Sequence, residues 1–93
     1  MAALSILQVE GYGYSVLKKL AENGLDVDQG TLYPLLRRLE TQGLLRSSWR
    51  IEEARPRRYY QTSPDGLKML LKLIEEWKRI TRAVEIITSL KPE

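Results

Sequence analysis

The chain has no cysteine and no histidine. The first absence removes disulfides and thiol nucleophiles. Together the two remove zinc sites of the Cys/His type and every imidazole base. Carboxylates do not fill the gap: Glu52-Glu53 and Glu75-Glu76 come nearest to acid/base pairs, and each is a pair of sequence neighbours expected to be solvated. A glycine-rich phosphate loop is missing too, since Gly11-Tyr12-Gly13 has neither the following glycine nor a preceding strand. These gaps argue against an enzyme, a metal centre or a cofactor. No apolar run approaches the roughly 18 residues of a membrane span, and Met1-Ala2-Ala3 opens no charged signal segment. The expectation is a cytoplasmic protein with no membrane partner.

What the chain does have is arginine, and it is concentrated. Net charge is only +3, with a pI near 9.3. Yet Arg37, Arg38, Arg46, Arg50, Arg55, Arg57 and Arg58 fall in one window against Glu40, Glu52 and Glu53, and all six lysines lie outside it. A guanidinium is a planar fork that matches guanine edges and phosphates, so a local arginine field points to nucleic acid. Ninety-three residues make one small fold. Such a fold buries only about 60–70% of its unfolded surface, and a second subunit often completes the core.

The window opens on Gln29-Gly30-Thr31-Leu32-Tyr33-Pro34-Leu35-Leu36-Arg37-Arg38-Leu39-Glu40-Thr41-Gln42-Gly43. Leu32, Leu35, Leu36 and Leu39 recur at helical spacing and are expected to share a core-facing side. Gly30, Pro34, Arg37 and Thr41 fall opposite, flanked by Tyr33 and Arg38. Such a basic, aromatic-bearing face suits insertion into a DNA major groove, and equally an ordinary solvated surface. Gly43 is placed to end the helix. Its start lies between Asp28 and Thr31: capping by Asp28 puts Pro34 inside the helix, whereas capping by Thr31 puts it in the first turn, where a missing N–H costs nothing.

Upstream, Met1 to Val9 is expected to be a short helix with Leu4, Leu7 and Ile6 inward. After the break at Gly11-Tyr12-Gly13 a second helix starts near Tyr14. It is expected to set Tyr14, Val16, Leu17, Leu20 and Ala21 on one side and to stop at Asn23-Gly24. Two helices joined by a short connection form a helix-turn-helix, whose second member is the reader. Beyond Gly43 the period falls to 2. Leu45–Arg50 and Arg57–Thr62 read as two strands, and Ile51 to Pro56 as the tip between them. A basic hairpin in that place is the wing of a winged helix, or else a structural hairpin with arginine on its wet face. Ser63-Pro64-Asp65 then starts a helix that meets no further breaker after Gly66 until about Leu90. Leu70, Ile74, Trp77, Thr81, Val84 and Thr88 keep alternating 3- and 4-residue spacings along it, a seam on which a second chain can pair. The fold class read from these elements is mainly α with a small β-hairpin. A winged helix-turn-helix occupies 1–62 and a long C-terminal dimerisation helix 63–93.

Gly13-Tyr14, Gly30-Thr31-Leu32-Tyr33-Pro34, Arg37-Arg38-Leu39-Glu40 with Gly43-Leu44, Arg57-Arg58-Tyr59-Tyr60 and Glu76-Trp77 together resemble the PadR family of bacterial transcriptional regulators, in its branch with a short C-terminal helix. The resemblance covers the chain from about Gly13 to Ile87, and its specificity lies in the joint order and spacing of the pieces. It implies a homodimeric repressor on a palindromic operator of double-stranded DNA. Thr31, Tyr33, Pro34 and Arg37 or Arg38 match the reading helix, and Arg57 and Arg58 match the wing. Trp77 matches a tryptophan that lines a flat ligand pocket at the dimer centre in multidrug-sensing relatives, which implies a small planar aromatic effector; the same residue could simply fill the dimer core. Two departures accompany the resemblance: little precedes Leu4 where the family has a longer first helix, and Tyr12 stands where histidine is common. A winged-helix module for protein–protein contacts, without sequence-specific DNA binding, is the alternative function.

Overall fold

The computed structural model describes residues 1–92. In chain order the elements are α1 (Ala2–Ile6), β1 (Gly11–Tyr12), α2 (Gly13–Glu22), α3 (Gln29–Thr41), β2 (Leu45–Glu52), β3 (Arg55–Thr62) and α4 (Pro64–Thr88). The strands form one antiparallel sheet in the order β1-β3-β2. Helices α1 to α3 and the root of α4 share one core built on Leu4, Leu7, Val16, Leu20, Leu32, Leu36, Leu45, Tyr60 and Leu70. That core confirms the winged helix-turn-helix with a long final helix. Among the described residues no helix is long and apolar enough to cross a membrane.

Local chemistry sets the helix ends. Asp28 is the cap of α3, its carboxylate accepting the Thr31 N–H at 2.7 Å. This settles the open start in favour of Asp28 and places Pro34 inside the helix. At the other end Gly43 takes a positive φ of 78°. The Leu44 N–H then reaches the Leu39 carbonyl and the Gly43 N–H reaches that of Glu40, a Schellman closure. Helix α2 ends the same way at Gly24, and it starts one residue earlier than expected, at Gly13. Val16 and Leu20 of α2 are buried and Leu17 half-buried, but Tyr14 and Ala21 are exposed, against expectation.

The hairpin is longer than its alternation suggests. Both strands run two residues further, to Glu52 and from Arg55, because the connection is only Glu53-Ala54. Both turn residues have positive φ, 51° and 64°. A two-residue hairpin turn of that kind matches the twist of its strands, and it usually announces itself through Asn or Gly. Pro56 is tolerated in β3 because it faces Ile51 at a non-hydrogen-bonded position. The parity is visible at Thr62, six residues on, whose N–H points away from β2 and donates to the Leu7 carbonyl. Gly11-Tyr12, read as a simple break, in fact pairs with Tyr60 and Tyr59 as the third strand.

Helix α4 is rooted and then projects. Ser63 is buried; its hydroxyl accepts the Gly66 N–H and donates to the Gly43 carbonyl. Leu70 is 1% exposed and Ile74 half-buried against the core, whereas Trp77, Ile80, Val84 and Ile87 are open to solvent. The molecule is accordingly 66 Å in its longest dimension and 26 Å in the next. One dimer-interface expectation is therefore corrected. Leu70 is enclosed by its own protomer, because the first two turns of α4 belong to the winged-helix core.

Candidate nucleic-acid interface

On α3 the buried arc comprises Leu32 and Leu36, with Tyr33, Leu39 and Glu40 half-buried. Leu35, expected inside, is 36% exposed. The helix is rolled towards Tyr33 and Glu40 because the start of α2 and the hairpin both stand on that side. A Cβ at Gly13 would press into the Tyr33 ring, with Cδ1 at 3.0 Å. The ring thus packs over the α2 start, which leaves Tyr33 half-buried. The exposed side of α3 consists of Thr31, Pro34, Leu35, Arg37, Arg38 and Thr41. Among the described residues neither Arg37 nor Arg38 has a carboxylate within ion-pair distance. Two guanidiniums therefore project freely from a helix whose back is anchored in the core.

The hairpin's arginines have other company. Residues facing each other across β2 and β3 share a side of the sheet, so Leu45, Ser47, Trp49 and Ile51 lie with Thr62, Tyr60, Arg58 and Pro56 on the side that meets α3. There the Glu40 carboxylate accepts from both Arg58 and the Ser47 hydroxyl, with the Arg58 Nε 3.2 Å from that hydroxyl. These two hydrogen bonds, Ser47 first and Arg58 second, hold the Glu40 carboxyl below the usual glutamate range. Arg58 also lies 5.6 Å from the centroids of both Trp49 and Tyr60. Its guanidinium ties the hairpin to α3.

The other side carries a stack of alternating arginine and tyrosine. Arg50 lies 4.6 Å over Tyr59 and is paired with Glu10. Arg57 lies 4.2 Å over Tyr12 and 3.5 Å from Glu52. The two rings meet edge to face at 5.4 Å, and the Tyr59 hydroxyl donates to Glu52. Arg50, Arg57 and Arg58 thus each have a carboxylate partner. The composition gave no hint of this, because the pairings depend on strand register and on Glu10 being brought in just before β1.

Between the α2 start, α3 and the hairpin lies an open cleft of about 380 Å³. Tyr14, Tyr33, Arg37, Trp49 and Arg57 line it, with Tyr60 at its floor. It joins expected site residues (Tyr33, Arg37, Arg57) to two that sequence reasoning missed, Tyr14 and Trp49. Trp77, on the projecting part of α4, is 58% exposed and takes no part in the cleft.

Comparison with known proteins agrees with this architecture. Residues 3–72 match the Transcriptional regulator PadR-like family. Among curated proteins, the transcriptional regulator Rv3488 of Mycobacterium tuberculosis is 44% identical over 57 residues, 61% of this chain and 53% of that protein. The chain thus spans about half the length of that relative. Among solved structures, a PadR family transcriptional regulator from Eggerthella lenta superposes with a TM-score of 0.92 at 39% identity, covering 96% of this chain and 80% of the other. A PadR family regulator from Clostridium difficile gives 0.86 at 26% identity over 95% of both chains. With three quarters of its length inside the family match, and the same fold as its solved members, the chain belongs to the PadR-like family of transcriptional regulators.

Proposed function

We propose that the chain is a sequence-specific DNA-binding regulator that acts as a homodimer, and as a repressor, on a palindromic operator. The observation that carries this reading is the outer face of α3, where Arg37 and Arg38 stand exposed with no carboxylate partner among the described residues. Thr31 and Pro34 lie on the same face and would touch the groove. Tyr33 and Arg57 would border the backbone between groove and wing, and Arg58 would act by holding the wing in place. The part of α4 beyond Ile74 is the dimerisation element, since its apolar stripe has no cover within one protomer.

A bidentate arginine–guanine pair supplies about 1–3 kcal/mol of discrimination. Selection of bound sequences from a random duplex pool should therefore return a two-fold symmetric motif. Arg37→Ala or Arg38→Ala should relax one defined position in each half-site. A wild-type protein that binds random and selected duplexes equally well would refute sequence-specific reading.

A two-fold axis near Trp77 would set two indoles face to face, a slot for a planar aromatic effector whose cationic form would gain a further cation–π attraction. Binding there would tilt the two reading helices and release DNA. Titrating a planar aromatic cation into DNA-free protein should quench tryptophan emission, and Trp77→Leu should lose that response. Identical titrations for the two proteins would remove the effector and leave Trp77 as a core residue of the dimer.

A further inference from the structure

The cleft between the α2 start, α3 and the hairpin collects side chains from α2, α3, β2 and β3. Two of its rings are open: Tyr14 of α2 is 57% exposed and Trp49 of β2 66%, and neither packs into the core. Leu36 and Tyr60, both buried, close its floor. Two guanidiniums on the same side of the sheet border it. Arg37 of α3 has no carboxylate within ion-pair distance among the described residues. Arg58 of β3 gives Nε to Ser47 and Nη2 to Glu40, which leaves its Nη1 uncommitted among the described residues. Neither aspartate nor glutamate is among the lining residues. The walls are also fixed before any ligand arrives. Arg58 and Ser47 fasten both strands to Glu40 of α3, and Tyr33 is packed against Gly13.

A volume of about 380 Å³ with a few convergent polar groups is that of a small-molecule site. Open aromatic faces take a flat ring, and guanidiniums without a lining carboxylate take an anion; a cation would find no counter-charge there. The number of forks decides which anion fits. One fork satisfies a carboxylate, whereas a phosphate monoester has three terminal oxygens and can accept from two guanidiniums at once. We propose that the cleft binds a free nucleoside monophosphate, its base against Tyr14 and Trp49 and its phosphate between Arg37 and Arg58. The site itself needs no DNA. Its consequence rests on the DNA-binding reading above: Arg37 cannot hold the phosphate and contact a groove together, so an occupied cleft competes with the operator. The site is separate from the slot at Trp77, which lies on the projecting part of α4 and favours a cation.

The test follows the indole N–H signals of the two tryptophans by NMR in DNA-free protein at constant ionic strength, with Trp49→Phe assigning them. Adenosine monophosphate should shift the Trp49 signal and leave that of Trp77 in place. Adenosine lacks the phosphate and inorganic phosphate lacks the ring, so each should bind at least about tenfold more weakly. A naphthalene carboxylate should also bind more weakly than the nucleotide. Arg37→Met should remove most of the nucleotide's advantage over adenosine, and Tyr14→Leu should weaken both by about tenfold. Both residues are exposed, so neither change disturbs the core. A Trp49 signal that stays in place, equal affinities for nucleotide and adenosine, or unchanged nucleotide binding by Arg37→Met would overturn the site. A carboxylate that binds as tightly as the nucleotide would overturn the phosphate assignment. In a second arm the nucleotide is added to wild type on its selected duplex. Duplex affinity should fall about tenfold when the nucleotide reaches about nine times its own dissociation constant. Unchanged duplex affinity would overturn the competition. If wild type binds no duplex, the DNA-binding reading fails, and the first arm, run without DNA, still decides the nucleotide site.

Discussion

Val84→Asp should turn a two-chain particle into a one-chain particle and reduce operator affinity by about 10²–10⁴. Val84 is 51% exposed in the protomer, nearly three turns beyond Ile74, the last core-packed residue of α4. The substitution therefore touches nothing that holds the winged helix together. In a dimer built on the stripe of Ile74, Trp77, Ile80, Val84 and Ile87 the carboxylate would be buried without a partner, at a cost of several kcal/mol. Losing the second subunit makes half-site binding independent, and the gain from linking two sites is of the order of 10²–10⁴. Sedimentation at micromolar concentration and a binding titration measure the two effects. Circular dichroism should show an intact helical fold. A single-chain mass for the wild type, or an unchanged mass for Val84→Asp, would contradict the dimer. Ile74→Asp should damage both dimer and core, because Ile74 also packs against the protomer's interior.

Gly66→Ala should be the most destabilising single-methyl change in the protein, although alanine is the better helix former by about 1 kcal/mol. Gly66 is buried at the third position of α4, with its N–H capped by Ser63. An added Cβ would overlap the Leu44 carbonyl oxygen, which itself accepts the Ser63 N–H, and would stand 2.8 Å from the Thr62 Cγ2. The obstruction is largely backbone, so no side chain can swing away from it. Overpacking of this kind typically costs about 1–3 kcal/mol, and here the upper end is expected, because the junction of α3, β3 and α4 must open to relieve it. Gly30→Ala is the control. Its nearest neighbour would be the Asp28 Oδ1 at 3.6 Å, so helix propensity should win and stability should hold or rise. Urea midpoints for the two variants should therefore move in opposite directions. A Gly66→Ala midpoint equal to that of Gly30→Ala would disprove the close approach.

Periodicity and punctuation along the chain were enough to place α2, α3 and α4 and to name the stops at Gly24 and Gly43, while the start of α3 stayed open and α1 ends at Ile6, short of the expected Val9. The caps at Asp28 and Ser63, the closures at Gly24 and Gly43, and the unbroken run of α4 all arise from residues within five positions of one another. Such interactions are written in local order, and so is the change of period that marks the hairpin. The family-specific order of motifs was equally legible.

What could not be read there depends on which distant groups come to lie together. Helical spacing made Leu70 and Val84 equivalent members of one seam; the core takes the first and leaves the second bare, because the body of the protein extends only about three turns along α4. Leu35 and Tyr33 exchange their expected environments because the start of α2 and the hairpin lie on one flank of α3. The seven arginines of the window look alike in sequence. Three-dimensional register pairs Arg50, Arg57 and Arg58 with carboxylates that are as many as 40 residues away, and leaves Arg37 and Arg38, like Arg46 and Arg55, without an ion-pair partner among the described residues. Charge composition measures how much arginine a surface holds. Whether a given guanidinium is available to DNA depends on a partner within 4 Å, and that distance is a property of the folded chain alone.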